Sequence, residues 1–254
     1  MPVTLDVDDR SVATLLLDRP RKRNALDREM LESLLDATGR LAGRTDVRAV
    51  VVRGAGGTFC AGADIGDWVA PSAPLAAELS KLGRDAFAAV AALDVPSVAL
   101  IEGTAIGGGF ELALACDLRI AAGDALIGFP ELRLGNLPAW GGLARLIDVA
   151  GLGTARHLLL TGELIDGVRA AALGAVTAVA ADGDLSAELS RVVDCFTACE
   201  PAALALAKQV LSGFDSDLPL EPAMASYTAG LDSSRRRKQD FLDRQAARKI
   251  GVSS

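Results

Sequence analysis

Residues 103–120 read GTAIGGGFELALACDLRI, and the parsing of this stretch decides the fold. Just before it, the run SVALIEG (97–103) is short, apolar and bounded by Pro96 and Gly103, which predicts a buried strand. After Gly107, Gly108 and Gly109 come Phe110 and then Glu111, the only polar side chain before Asp117. This segment predicts a helix from Gly108 to Cys116, and DLRIAA (117–122) returns to strand. Strand, helix and strand in so short a span predict parallel strands joined by crossover helices.

The same rhythm extends outward. VTLDV and VATLLLD flank the turn DDRS, and Val3, Leu5 and Val7 alternate with polar neighbours, so the chain opens as a hairpin. Met30, Leu31, Leu34, Leu35 and Leu41 then recur at helical spacing, with Asp27 as N-cap and Gly43 as the stop. VRAVVVRG (47–54) predicts a buried strand, and a helix follows from about Leu75 to Leu93, ended by DVPS. From Gly141 the pattern turns helical, through GGLARLIDVAG, TARHLLLTG and DGVRAAALG. One strand is expected in AVTAVA (175–180), then three long helical stretches between Asp184 and Ile250. These elements divide into an α/β core over 1–195 and a helical subdomain over 196–254. So many amphipathic helices at one end of a chain lead us to expect self-association.

Half of the 254 residues are hydrophobic but only 4% are aromatic, so the core must be built from Ala, Val and Leu. A net charge of −7 argues against a nucleic-acid binder, which needs a basic face to neutralise phosphates. The basic run Arg235–Lys238 reads either as a solvated helix face or as a site for ligand phosphates. No run approaches the ~20 apolar residues of a membrane span. Cys60, Cys116, Cys195 and Cys199 form no disulfide framework, and MPVTLDVDDR lacks the basic and apolar regions of a signal peptide. A cytoplasmic protein with free thiols is expected, the four cysteines serving as small apolar fillers. With one histidine, His157, read as structural, no metal site is predicted.

The glycine run sits where the first amides of a helix lack internal acceptors, and glycine lets a ligand oxygen approach them. Three in succession point to an anion or oxyanion site. No Lys-Ser or Lys-Thr pair follows, so a P-loop is disfavoured; the spacing does not fit G-x-G-x-x-G, and no G-x-S-x-G occurs. Two acids remain, Glu111 in the first turn of the apolar helix and Glu131 after Pro130 in IGFPELRLGNLPAWGG. Converging on one cavity, they could divide acid and base roles over a held water, as like charges in a poorly solvated cleft raise each other's proton affinity.

The segments RPRKRNALD, VRAVVVRGAGGTFCAGADI, VPSVALIEGTAIGGGFELALACDLRIA, FPELRLGNLPAWGGLARL, LLLTGELID and PAALALAKQVL follow one another in this order. In these motifs the chain resembles the enoyl-CoA hydratase/isomerase (crotonase) superfamily. The resemblance implies a crotonase-like spiral core of repeated ββα units with a C-terminal helical trimerisation region, assembled as a homotrimer or a dimer of trimers. It implies an oxyanion hole from the amides of Ala63 and Gly108. It places coenzyme A, as part of the acyl-CoA substrate rather than a separate cofactor, along Arg23, Ala25, Ala61, Asp64 and Ile65. Glu111 falls on the water-activating glutamate and Glu131 on the proton donor to the α-carbon. Possession of both favours hydration of a trans-2-enoyl-CoA. A double-bond isomerase, another reaction with the same oxyanion hole, and a non-catalytic acyl-CoA binder are the alternatives. Where family hydratases commonly read PGAGG this chain reads PAWGG, so Ala139 and Trp140 add bulk beside the expected acyl pocket. The tail SSRRRKQDFLDRQAARK departs from the family wording, although Phe241 and Arg244 occupy comparable places.

Overall fold

The opening hairpin forms from β1 (Val3–Val7) and β2 (Val12–Leu17), paired antiparallel with Val3 opposite Leu17. The computed structural model describes residues 1–68, 72–180, 183–212 and 220–251. From β2 onward the main sheet is parallel: β3 (Ala49–Gly54), β4 (Ser97–Ile101), β6 (Leu118–Ala121) and β9 (Ala178–Val179) join in the order β1-β2-β3-β4-β6-β9. The parallel strands are mostly apolar because both faces of the sheet are covered. Along β3, Val50 and Val52 enter the larger core while Ala49 and Val51 enter a second cluster on the opposite face.

The larger core is closed by α1 (Arg28–Gly39), α2 (Ala73–Ala91) and α3 (Gly108–Ala115), which contribute Met30, Leu34, Phe87, Val90, Phe110 and Leu112. The second cluster is covered by Val192 and Val193 of α6 (Leu185–Ala198). Asp27 caps α1 as its sequence predicts, its carboxylate accepting from Met30 N. The helix ends at Gly39 rather than Gly43, because beyond it the chain tightens into turns: Leu41 N donates to Thr38 O and Ala42 N to Gly39 O, three residues back instead of four. Asp117 stitches the starts of β4 and β6 together: Oδ2 accepts from Ser97 N at 2.7 Å and Ser97 Oγ at 2.8 Å.

Three strands were not legible in the sequence: β5 (Thr104–Ile106), β7 (Leu126–Gly128) and β8 (Leu164–Ile165). They form a separate sheet in the order β5-β7-β8. Each has only two or three residues, too few to display a period, and each exists because it is paired. β5 and β7 run parallel, Ile106 opposite Gly128. Between β7 and β8 lies α4 (Gly142–Thr161), interrupted at Gly151 (φ 78°), and after β8 comes α5 (Gly167–Ala172). Instead of three helical stretches at the end there are four helices among the described residues: α6, α7 (Pro201–Ser212), α8 (Leu220–Gly230) and α9 (Asp232–Gly251).

The chain divides into two units, Met1–Phe196 and Thr197–Ser254. The first holds both sheets and all residues of the candidate site. Within the second, Ser233 Oγ donates to Glu200 Oε1 at 2.9 Å. No helix among the described residues is long and apolar enough to cross a membrane. The expectation that all four cysteines are fillers is corrected: Cys60 and Cys116 are buried, but Cys195 and Cys199 are exposed. Val192 and Val193, not Cys195, form the inward face of α6.

Candidate active site

The pairing of β5 with β7 brings the two acids together. Parallel strands end at the same edge, so the chain leaving β5 into α3 and the chain leaving β7 into the 3-10 turn Glu131–Leu134 start side by side. Gly107 N donates to Gly128 O at 2.9 Å across that edge. Glu111 lies in the first turn of α3 and Glu131 opens the 3-10 turn.

Each glycine of the run admits a different neighbour. Gly107 has φ 56°, and a Cβ there would lie 2.6 Å from Glu131 Oε1, so that carboxyl rests on the helix start. A Cβ on Gly108 would strike the ring of Trp140, and one on Gly109 the carbonyl of Cys60. The glycines therefore seat an acid, an indole and a neighbouring main chain around one helix N-terminus.

Glu111 is 2% exposed. Its Oε1 accepts from Trp140 N at 2.8 Å and Gly142 N at 2.9 Å, and a Cβ on Gly142 would strike the Glu111 side chain. Burial pushes its carboxyl above the ordinary range; the N–H groups of Gly142, Trp140 and Ala139 and the charge of Arg145 restrain that rise. Arg145, which the sequence reading did not single out, also donates to Trp140 O at 3.2 Å. Glu131 has no such cradle: its Oε2 is buried and has no hydrogen-bond partner among the described residues. Burial, partly offset by its own N–H and reinforced by the Glu111 charge, pushes it up to about 7. One acid is thus fixed by main-chain donors, and the other is held near its protonation midpoint at neutral pH.

Ala63 and Gly108 lie on neighbouring segments. A Cβ on Gly62 would be 2.7 Å from Ile106 O and 3.4 Å from Gly108 N, so the loop before Ala63 passes directly over the start of α3. Neither the Ala63 nor the Gly108 N–H donates to any acceptor among the described residues. Two free amides beside buried Glu111 and half-buried Glu131 can receive an oxygen that gains negative charge while protons move next to it.

The segment 23–26 is laced to 61–64. Ala61 N donates to Arg23 O at 3.0 Å, Leu26 N to Gly62 O at 2.8 Å and Asp64 N to Leu26 O at 2.9 Å. The structure thus brings Arg23, Ala25, Ala61, Asp64 and Ile65 onto two adjacent loop segments, joined by the single bridge Leu26–Ala63, with Arg23 and Ile65 exposed and Ala25 buried. Arg19 ties the pair together, donating to Ala25 O at 3.0 Å and meeting Asp64 Oδ2 at 3.1 Å. Asp64 is desolvated, yet Gly66 N, Arg19 and Lys22 hold its carboxyl below the usual range. His157 of α4, read as structural, meets Glu163 Oε2 at 2.8 Å.

Asn24 is the residue the sequence reading passed over. It is buried, with φ 56°; Oδ1 accepts from Arg19 N at 2.9 Å, and Nδ2 donates to the carbonyls of Ala55 (2.9 Å), Thr58 (2.7 Å) and Phe59 (3.3 Å). Its own carbonyl accepts from Cys60 Sγ at 3.1 Å, and burial pushes that thiol up to about 12. Asn24 thus clamps the loop that leads to Ala63. Asn24→Ala strands several buried groups and is expected to cost ~2–4 kcal/mol in urea unfolding. Asn24→Asp should cost at least as much, since a carboxylate cannot donate to three carbonyls. A wild-type midpoint for either variant would show that the loop is held by other contacts.

The chain matches the family model described as enoyl-CoA hydratase/isomerase over residues 8–231. It is 32% identical to the crotonyl-CoA hydratase of Syntrophomonas wolfei over 94% of both chains. It is likewise 32% identical to a short-chain-enoyl-CoA hydratase of Clostridium acetobutylicum, over 91% of this chain and 89% of that one. Its fold superimposes on the crystal structure of an enoyl-CoA hydratase from Mycobacterium smegmatis with a TM-score of 0.89, at 31% identity over 96% and 97% of the two chains.

Proposed function

The chain belongs to the enoyl-CoA hydratase/isomerase family, and from that membership we propose that it adds water reversibly across the C2=C3 bond of a trans-2-enoyl-CoA. The observation that carries this reading is the meeting of buried Glu111, half-buried Glu131 and two unengaged amides at the start of α3. In the proposed mechanism the thioester oxygen accepts from Ala63 N and Gly108 N, which stabilise the enolate by ~3–4 kcal/mol per well-placed donor. Glu111, its Oε1 tethered by Trp140 N and Gly142 N, takes a proton from water with its other oxygen as the hydroxide adds to C3. Glu131 delivers its proton to C2, and the pair passes the proton back from Glu111 to Glu131 before the next cycle. The coenzyme A portion lies along Arg23, Ala25, Ala61, Asp64 and Ile65. The working assembly in this proposal is a homotrimer or a dimer of trimers in the cytoplasm.

The pH dependence follows from the two carboxyls. Hydration needs Glu131 protonated, and its carboxyl is raised to about 7, so kcat/KM for hydration should fall as pH rises through that value. It should fall again at acid pH, where Glu111 becomes protonated, and that limb should lie above the ordinary glutamate range. A rate still climbing between pH 7 and 9 would contradict this assignment.

The reading is tested with crotonyl-CoA in deuterated water. Hydration predicts a product that has gained the elements of one water, with deuterium on the α-carbon. Label on carbon without added water would mean isomerisation or simple enolisation. No turnover of any enoyl-CoA, with acyl-CoA still bound, would mean a binding protein.

A further inference from the structure

We infer that Trp140 is the specificity-determining wall of the acyl site and restricts the substrate to short acyl groups. The inference rests on the function just proposed for the position of the thioester carbonyl, and it deepens that reading by naming the substrate class.

The indole is 3% exposed and wedged between two helices. A Cβ at Gly83 of α2 would strike its pyrrole edge, Cε2 and Nε1, and a Cβ at Gly108 of α3 would strike its benzo edge, Cζ3. Phe87 meets the ring edge to face, with centroids 5.4 Å apart at 90°. Glycine inside a helix is less favourable than alanine. Gly83 is therefore explained by the indole: α2 has given up a side chain to make room for it. Held on both sides by packed helices, the ring cannot swing aside without reopening the core.

Residue 140 also touches both halves of the proposed chemistry. Its ring lies on Gly108, whose amide would hold the thioester oxygen, and its main-chain N–H holds the carboxylate of Glu111, which would work at C3. The carbonyl carbon and C3 are two bonds apart, so acyl atoms beyond C3 leave these groups next to residue 140. An alanine there would leave the gap between Gly83 and Gly108 open to the chain, whereas the indole fills it. Further methylenes then meet a rigid aromatic wall instead of gaining the burial that an apolar channel would give them.

The test has a kinetic arm and a binding arm. For the wild type, kcat/KM should fall ~10-fold or more from crotonyl-CoA to trans-2-octenoyl-CoA, and Trp140→Ala should shift that ratio ~10-fold or more toward the longer substrate. Trp140→Phe should fall between them. Calorimetric binding of the saturated thioesters butyryl-CoA and octanoyl-CoA needs no turnover and no altered protein, so it decides the matter if a variant fails to fold or if the hydratase reading itself fails. Weaker binding of octanoyl-CoA than of butyryl-CoA by the wild type supports the wall. Equal or tighter binding of octanoyl-CoA, or an unchanged chain-length ratio in a folded Trp140→Ala, overturns it.

Discussion

Glu131→Gln is expected to lower kcat/KM for hydration by ~10³-fold while making the folded protein more stable at pH 8. The loss follows from removing the proposed proton donor to C2. The gain follows from linkage. The folded carboxyl is raised to about 7 against an ordinary value of 4.5, so ionising it is harder in the folded state than in the unfolded chain. Below about pH 4 the group is protonated in both states and costs nothing. As pH rises through the folded value the penalty grows to about 3 kcal/mol, and glutamine escapes it. Thermal unfolding from pH 4 to pH 8 should therefore show the two proteins alike at the acid end, with the variant higher at the basic end. A variant with full activity would remove Glu131 from the chemistry, and one with no gain at pH 8 would show that its carboxyl is not strained by burial.

Glu111→Gln should lose a comparable ~10²–10⁴-fold through the loss of the base, yet keep its fold. The amide oxygen can still accept from Trp140 N and Gly142 N, the two donors that now hold Oε1. Glu111→Ala removes that acceptor and leaves both buried N–H groups unpaired, so it should lose activity and a further ~2–4 kcal/mol of stability in urea unfolding. Comparing the two variants separates chemistry from architecture. If Ala is as stable as the wild type, the 139–142 loop does not depend on this acceptor.

Local patterns carried much of this architecture in the sequence. The alternation in β1, the cap at Asp27, the apolar run of β3 and the glycine-led start of α3 were all readable because each depends on neighbours a few residues away. β5, β7 and β8 were not, since strands this short owe their existence to pairing partners distant in the chain. That gap matters for the site: the β5–β7 pairing aligns the chain ends that carry Glu111 and Glu131, so both acids could be named while the reason for their meeting stayed hidden. Asn24 stood inside the RNAL motif, but the carbonyls it clamps lie 31 to 35 positions further on. Similarly, the glycine run marked a helix start, while its close neighbours Glu131, Trp140 and Cys60 come from three other segments.

The central claim is that one thioester oxygen is held by Ala63 and Gly108 between two working carboxylates. It is tested most directly by a crystal structure of the protein with an unreactive acyl-CoA bound. The account predicts the thioester oxygen at about 3 Å from both Ala63 N and Gly108 N, with C3 facing Glu111 and C2 facing Glu131. A thioester bound elsewhere, or one whose oxygen meets neither amide, would contradict it.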